Sequence, residues 1–250
     1  MARQLKRATT TEQLSAIARL RYSVYVVEQQ KQYPAADHRL CSLPDAWDRV
    51  SAHWLVSDDD DCIAAVRYTA LADAGWGMGE EFRLPESLVL RSLRTRLSIV
   101  SRLVVRAPER FHLRELHGLF VAVYEHGLAR GDVATCVHCA LPLQGLFERV
   151  GFQAYGDSFE LPGSGRLHQP MILFLDDHDR FRAARSPLAR VLLRATEHSD
   201  PIAALVREAL GLAQPQSRAA RRRPISVGDS PERLSSTFHA VATSTGPENG

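Results

Sequence analysis

The sequence predicts an α/β (α+β) architecture, a central mixed β-sheet with helices on both faces. Three observations carry this. Stretches whose hydrophobic residues recur about every 3.6 positions alternate along the chain with stretches of period two. Of 250 residues, 45% are hydrophobic and 24% charged, the make-up of an ordinary packed domain. No apolar run approaches the roughly 18 residues that a membrane-spanning helix needs. The balance of 31 basic against 29 acidic residues, a net +2, lacks the basic excess of a dedicated nucleic-acid binder. The opening Met1-Ala-Arg-Gln-Leu-Lys has no apolar segment behind its charges, so it does not read as a secretory signal. Cys41, Cys62, Cys136 and Cys139 are too few for a disulfide scaffold, and a cytoplasmic location is expected.

Residues 9–30 form the first expected helix. Thr9 and Glu12 make a capping box, and Leu14, Ile17, Leu20, Val24 and Val27 share a face. An irregular segment with Pro34 and Pro44 follows. Residues 52–56 and 63–71 read as strands joined by an acidic turn at 58–61, hence a hairpin. Gly75-Trp-Gly-Met-Gly reads as a loop and leads into a weakly patterned segment around 85–95. Residues 99–105 are a strand. Leu113, Leu116, Phe120, Val123, Tyr124 and Leu128 then define a long helix closed by Gly131. A strand over 133–139, a short helix over 142–150 opened by Pro142, and strands over 152–161 and 169–175 follow. Helices at about 178–196 and 200–211 form a C-terminal extension. One domain is thus expected over 1–213, with its core at about 10–176 and the helical extension at about 177–213. From Gln214 the composition shifts to Ser, Pro, Gly and Arg without an apolar period, so 214–250 reads as a disordered tail. Its cluster of Arg218, Arg221, Arg222 and Arg223 is either solvated or meets an acidic partner or RNA.

Two units in this order resemble the GNAT acyltransferase superfamily. Ile99-Val-Ser-Arg-Leu-Val-Val-Arg-Ala-Pro before a long helix resembles its donor-binding segment, and Leu146-Phe-Glu-Arg-Val-Gly-Phe-Gln-Ala-Tyr-Gly its helix-to-strand signature. A narrower resemblance is to the branch of acyl-homoserine-lactone (autoinducer) synthases and long-chain N-acyl amino acid synthases. It rests on Arg21-Tyr-Ser-Val-Tyr, on Asp45 and Asp48 in Pro-Asp-Ala-Trp-Asp, on Arg67 in Ala-Val-Arg-Tyr, and on Ser101-Arg102. The resemblance covers about residues 10–176 and implies a splayed central sheet. It further implies N-acyl transfer from a phosphopantetheine thioester to the amine of an amino acid or related metabolite, with no bound cofactor or metal.

Three departures from the superfamily refine that expectation. Acyl-coenzyme A users carry a glycine-rich loop whose amides hold the pyrophosphate. Here Arg106-Ala-Pro-Glu-Arg-Phe-His-Leu-Arg-Glu has no glycine, leaving Arg106, Arg110 and Arg114 as candidate donor contacts. The position of a frequent tyrosine proton donor is Phe147, and the position of the autoinducer-synthase glutamate is Ile99. The first two favour the autoinducer/N-acyl amino acid branch over ordinary acetyltransferases, the third argues against a homoserine-lactone product, and the glycine-free loop makes acyl carrier protein the expected donor and partner over coenzyme A. Aminoacyl-tRNA is an alternative donor, and a non-catalytic binding module of the same fold is the rival class.

Acyl transfer to an amine needs a polarised carbonyl, a deprotonated amine and an outlet for thiolate charge. Under the resemblance, backbone N–H groups at Leu103 and Val104 serve as oxyanion donors. Arg102, on an apolar strand, needs a carboxylate partner among Asp45, Asp48 and Glu28; it either braces the N-terminal lobe or orients substrate. Arg67 poses the same alternatives, and Arg21 reads as a surface residue or a substrate contact. Strand alternation sets Ser101 and Arg102 on opposite faces. Asp45 and Asp48 either cap a turn or bind and deprotonate an ammonium, and two adjacent carboxylates raise one pKa. In Cys136-Val-His-Cys139 a strand puts Cys136 and His138 on one face and Cys139 on the other. Apolar packing is therefore favoured over a metal chelate there, with His138 a candidate cleft base and His53 a second. The run Asp176-Asp-His-Asp179 stands where a helix begins and reads as N-cap acids.

Overall fold

The computed structural model describes residues 3–59, 61–110, 113–161, 165–191 and 200–212. The tail expected over 214–250 lies outside them. Gln4–Ala8 form an edge strand, β1, which the sequence hid because its residues are almost all exposed and show no apolar alternation. Helix α1, Thr11–Arg21, is capped by Thr10 rather than Thr9. The Thr10 hydroxyl accepts from the Gln13 amide at 3.3 Å while the Gln13 side chain reaches back to the Thr10 N–H. The helix then widens into a π-helical turn, Tyr22–Glu28. Of the expected apolar face, Ile17, Leu20 and Val24 are buried, whereas Leu14 and Val27 are exposed. The widened turn carries Val27 off the face that a regular helix would give it.

Strands β2 (Ala52–Asp58) and β3 (Asp61–Ala70) form the expected hairpin. The glycine-rich stretch is not a loop. Leu71–Ala74 (α2) and Trp76–Glu81 (α3) are helical and are broken apart at Gly75, with φ +78°. Met78 is fully buried there, and its burial overrides the helix cost of the glycines. Leu88–Ser92 (α4) occupies the weakly patterned segment, and Leu97–Val105 form β4. Helix α5 (Leu113–Arg130) ends at Gly131, whose φ of +78° suits a helix stop. Strand β5 (Ala134–Ala140) and helix α6 (Gln144–Val150) follow. The single strand expected over 152–161 is broken at Gly156 (φ +66°) into β6, Gln153–Ala154, and β7, Phe159–Leu161. Arg166–Phe174 are β8. The long helix expected from 178 stops early: α7 spans His178–Ala183, Arg185 turns to φ +51°, and Pro187–Arg190 form a 3-10 turn. Pro201–Ala209 form α8.

The eight strands make one mixed sheet in the order β1-β2-β3-β4-β5-β8-β6, with β7 added on β8. Every pairing is antiparallel except β4 with β5. One face packs Leu55, Ala65 and Val104 against Ile17, Leu20 and Val24 of the first helix and its extension. Further along it, Ile99, Cys136 and Phe174 meet Met78, Leu90 and Val206. The other face packs Trp54, Val66 and Val100 against Leu119 and Val123, and Val137 and Met171 against Phe120 and Phe147. The β4–β5 pairing runs only from Leu97↔Ala134 to Ile99↔Cys136, although the strands continue to Val105 and Ala140. That parting positions the site.

Candidate functional site

Beside the parting, β4 carries a bulge. β3 pairs Ala65 with Val104 and Arg67 with Ser101, so Val66 alone faces both Arg102 and Leu103. Arg102 takes φ +53°, a left-handed conformation that costs an L-residue about 1–2 kcal/mol. The extra residue breaks strand alternation. Ser101 and Arg102 therefore reach the same network on the α1 side of the sheet, contrary to the opposite-face expectation.

Arg102 Nε donates to Asp45 at 2.8 Å, and Arg67 Nη1 donates to the other oxygen of Asp45. Arg67 Nε also donates to Ser101 Oγ at 2.9 Å. Arg21 Nη1 donates to Asp48 at 2.7 and 3.0 Å, and His53 Nε2 lies 3.0 Å from the same carboxylate. Arg21 is 1% exposed, so it is a buried network member and not a surface residue. Asp45 and Asp48 also close the 3-10 turn Ala46–Val50. Asp45 accepts from the Trp47 amide at 2.9 Å, and Asp48 accepts from the Asp45 amide at 3.0 Å. Burial works to raise the pKa of both carboxyls, but Arg102 and Arg67 at Asp45, and His53 and Arg21 at Asp48, outweigh it and hold both below the ordinary range. Neither is the raised-pKa base that two adjacent carboxylates would form alone; cations intervene.

The π-helical turn and the segment after it cover this strand. Tyr25 donates its hydroxyl proton to the Leu103 carbonyl at 2.9 Å, and the Arg102 guanidinium lies 5.4 Å from the Tyr33 ring centre. Lys31 Nζ lies 5.4 Å from the Tyr25 ring centre. Val26, Gln30, Lys31, Tyr33, Pro34 and His38 help line a groove of about 530 Å³. Across the parting, His138 on β5 packs against Phe82, His168 and Phe159 at 4.5, 5.2 and 5.8 Å between ring centres. Burial, reinforced by the positive charges of Arg102 and Lys31 and by His168, lowers its pKa to about 3, so it is neutral at pH 7. Its buried Nδ1 has no hydrogen-bond partner among the described residues.

The structure brings Arg21, Asp45, Asp48, Arg67, Ser101 and Arg102 into one network. Leu103 borders it through Tyr25, and Val104 packs beneath α1. Arg106, Arg110 and Arg114 stand apart, beyond the end of β4. Arg110 grips Glu28 through both terminal nitrogens, Nη2 at 2.7 Å, and Arg106 lies 3.5 Å from Asp61 and from Glu109. Arg114 is exposed. Phe147 is buried edge-on against Phe120 and Phe152, and Ile99 is fully buried. Cys136 and Cys139 are buried free thiols, and no cluster of three or more His, Cys, Asp or Glu able to hold a metal exists among the described residues. Asp177 accepts from the Arg180 amide at 3.2 Å, capping α7. Sequence reasoning missed Lys31, Tyr33 and His168 as members of the site. Tyr25 alone carried a signal, four residues after Arg21 on the same helical face.

The sequence matches no protein-family model and no curated protein. Solved structures do match. FeeM, an N-acyl amino acid synthase from uncultured soil microbes, superposes with a TM-score of 0.58 at 12% identity, over 76% of this chain and 98% of its own. BjaI, a CoA-dependent acyl-homoserine lactone synthase solved with SAM and isopentyl-CoA, gives 0.56 at 14% identity, over 83% and 100%. The acyl-homoserine lactone synthase LasI gives 0.52 at 13% identity, over 70% and 89%. This chain therefore shares its overall fold, a GNAT-like mixed sheet flanked by helices, with those proteins.

Proposed function

We propose that the protein is an N-acyltransferase that moves an acyl group from a phosphopantetheine thioester to the amine of an amino acid or related metabolite. The observation that carries this reading is the parting of β4 from β5 after Ile99↔Cys136, with the braced bulge at Arg102 beside it. Such an opening exposes one edge of β4 to a ligand inserted between the strands. The thioester carbonyl lies against the backbone at Leu103, whose N–H polarises it, while the register with Ala65 turns the Val104 N–H towards β3 and removes it from that role. The amine nitrogen bonds to the carbonyl carbon, the C–S bond breaks, and the leaving thiolate takes up the proton that the nitrogen gives away. Phe147 supplies no acid for this, so the proton travels through water. His138, with its pKa near 3, passes a proton on and does not hold it. The Arg21–Asp48 and Arg102–Asp45–Arg67 pairs keep the bulge and its covering helix rigid, so their role is positioning.

The donor in this reading is acyl carrier protein. The loop after β4 carries no glycine from Arg106 to Glu115, which favours a single phosphodiester met by side chains over a pyrophosphate held by amides. Arg106 and Arg114 would meet it and the acidic face of the carrier, with Arg110 joining once it leaves Glu28. The buried Ile99 puts no carboxylate at the position of the autoinducer-synthase glutamate, which favours an open-chain amide over a lactone. Free cysteines and a thioester substrate fit the cytoplasm.

Amine-dependent thiol release from matched acyl-carrier, acyl-coenzyme A and aminoacyl-tRNA donors tests the proposal. Higher kcat/KM with the carrier, falling as salt rises, is expected. Equal use of coenzyme A would overturn the carrier preference, and activity confined to charged tRNA would replace the donor class. No transfer from any donor would leave a binding module.

A further inference from the structure

We infer that the groove under the π-helical turn binds the carboxylate of the acceptor, with Lys31 as its counter-ion, so that the acceptor is an α-amino acid and not a plain amine. This rests on the acyl-transfer reading and adds to it which residue recognises the acceptor and by what chemistry.

The argument is a charge census of the cleft and its cover. Asp45 is shared by Arg67 and Arg102, and Asp48 by Arg21 and His53. Glu28, at the end of the π-helical turn, is taken by Arg110. Asp37 accepts from the backbone amides of Arg39 and Leu40 at 3.0 and 2.9 Å. These four carboxylates are therefore committed. Lys31 is partly buried, yet it makes no ion pair among the described residues, and its ammonium rests only on the Tyr25 ring. A cation–π contact at a partly exposed site offsets just part of the cost of burying an ammonium.

The surroundings add positive charge instead of relieving it. Burial, then Arg166 and Arg102, lowers the Lys31 pKa to about 8. Lys31 reaches β4 through Tyr25, on whose ring it rests and whose hydroxyl bonds the Leu103 carbonyl, and its charge bears on His138 and His168. An anion bound at Lys31 would complete the missing pair. In an α-amino acid the reacting amine sits on the carbon next to that anion, so the same contact turns the amine toward the cleft. The groove volume of about 530 Å³ lies within the range of small-molecule sites, and Val26 and Pro34 offer apolar contact to a side chain.

The test compares L-leucine with isopentylamine and L-phenylalanine with phenethylamine as acceptors, in the wild type, Lys31→Met and Lys31→Arg. Lys31→Met keeps the stem and removes the charge; it should raise KM for the amino acids about tenfold, leave kcat and both amines nearly unchanged, and be largely rescued by Lys31→Arg. A second readout needs no turnover. Acylation of Lys31 by an amine-reactive probe, followed by mass spectrometry on the full chain, should be slowed by L-leucine or L-phenylalanine and not by the corresponding amine. Equal loss for amino acids and amines, or turnover without protection of Lys31, would overturn the inference while leaving acyl transfer standing. Protection without any acyl transfer would uphold the carboxylate site and remove the transferase reading. Neither protection nor transfer would overturn both.

Discussion

Replacing Asp45 by asparagine removes one negative charge from the buried network and keeps its shape. The amide oxygen can still accept from the Trp47 N–H, so the cap at residues 46–50 survives. Arg21, Arg67 and Arg102 are then left with Asp48 alone. The Arg67 and Asp45 side chains are 3% and 8% exposed, so water relieves little of the imbalance. Breaking a buried pair from one side costs about 3–5 kcal/mol. At about 2–4 °C per kcal/mol for a domain of this size, Tm should fall by about 6–20 °C. Arg102→Met is the control. It leaves two guanidiniums facing two carboxylates, preserves the apolar stem, and removes a side chain already 25% exposed. A loss of about 1–2 kcal/mol, or about 2–8 °C, is expected, with Arg102→Ala somewhat worse for want of the stem. The Asp45 pKa is depressed in the folded state, so its stabilisation is present above the ordinary carboxylate pKa and is lost as pH falls towards the folded value. The gap between wild type and Asp45→Asn should therefore narrow below about pH 4. Thermal unfolding followed by calorimetry across pH reads all of this. An Arg102→Met protein at least as unstable as Asp45→Asn would refute the charge-balance reasoning.

Three further outcomes follow from single contacts. Gly151→Ala should destabilise the fold by about 1–3 kcal/mol or more in denaturant titration, because Gly151 sits at φ +120° and a Cβ would lie 2.5 Å from the Phe181 ring; an unchanged midpoint would show that the ring yields freely. Glu28→Gln should free Arg110 and lower KM for an acyl-carrier donor several-fold at low salt, whereas an unchanged donor KM would remove Arg110 from the donor site. Burial raises the Asp132 pKa despite the proton donated by Tyr68, so its folded-state preference for the protonated form helps stability at low pH and is lost as pH rises through the folded value. Asp132→Asn should accordingly be more stable than wild type at pH 7.5, with the advantage shrinking towards pH 4.5; a variant less stable at pH 7.5 would contradict that sign.

What could be read in the sequence was what repeats. Helix α5 and strands β2, β3 and β5 announce themselves through period, and a carboxylate partner for Arg102, which the structure shows to be Asp45, follows from the cost of an unpaired arginine on an apolar strand. Elements held by tertiary contact left no such trace. β1 is almost wholly exposed and shows no apolar alternation, and α3 forms around the burial of Met78 despite its glycines. The bulge was invisible because a period-two reading has no place for an extra residue, and that one residue decides where Ser101 and Arg102 point. Tyr33 and Lys31 lie after the first helix in a polar stretch without pattern, and only folding sets them over Arg102 and Tyr25.

The claim on which the rest depends is that the acyl thioester enters where β4 and β5 part. A crystal structure with a non-hydrolysable acyl-phosphopantetheine thioether tests it most directly. The acyl carbonyl oxygen should lie within hydrogen-bond distance of the backbone N–H of Leu103, about 2.7–3.1 Å, with the pantetheine arm running towards Arg106. An acyl group seated in the groove beside Lys31, or on the α5 face of the sheet, would contradict the account.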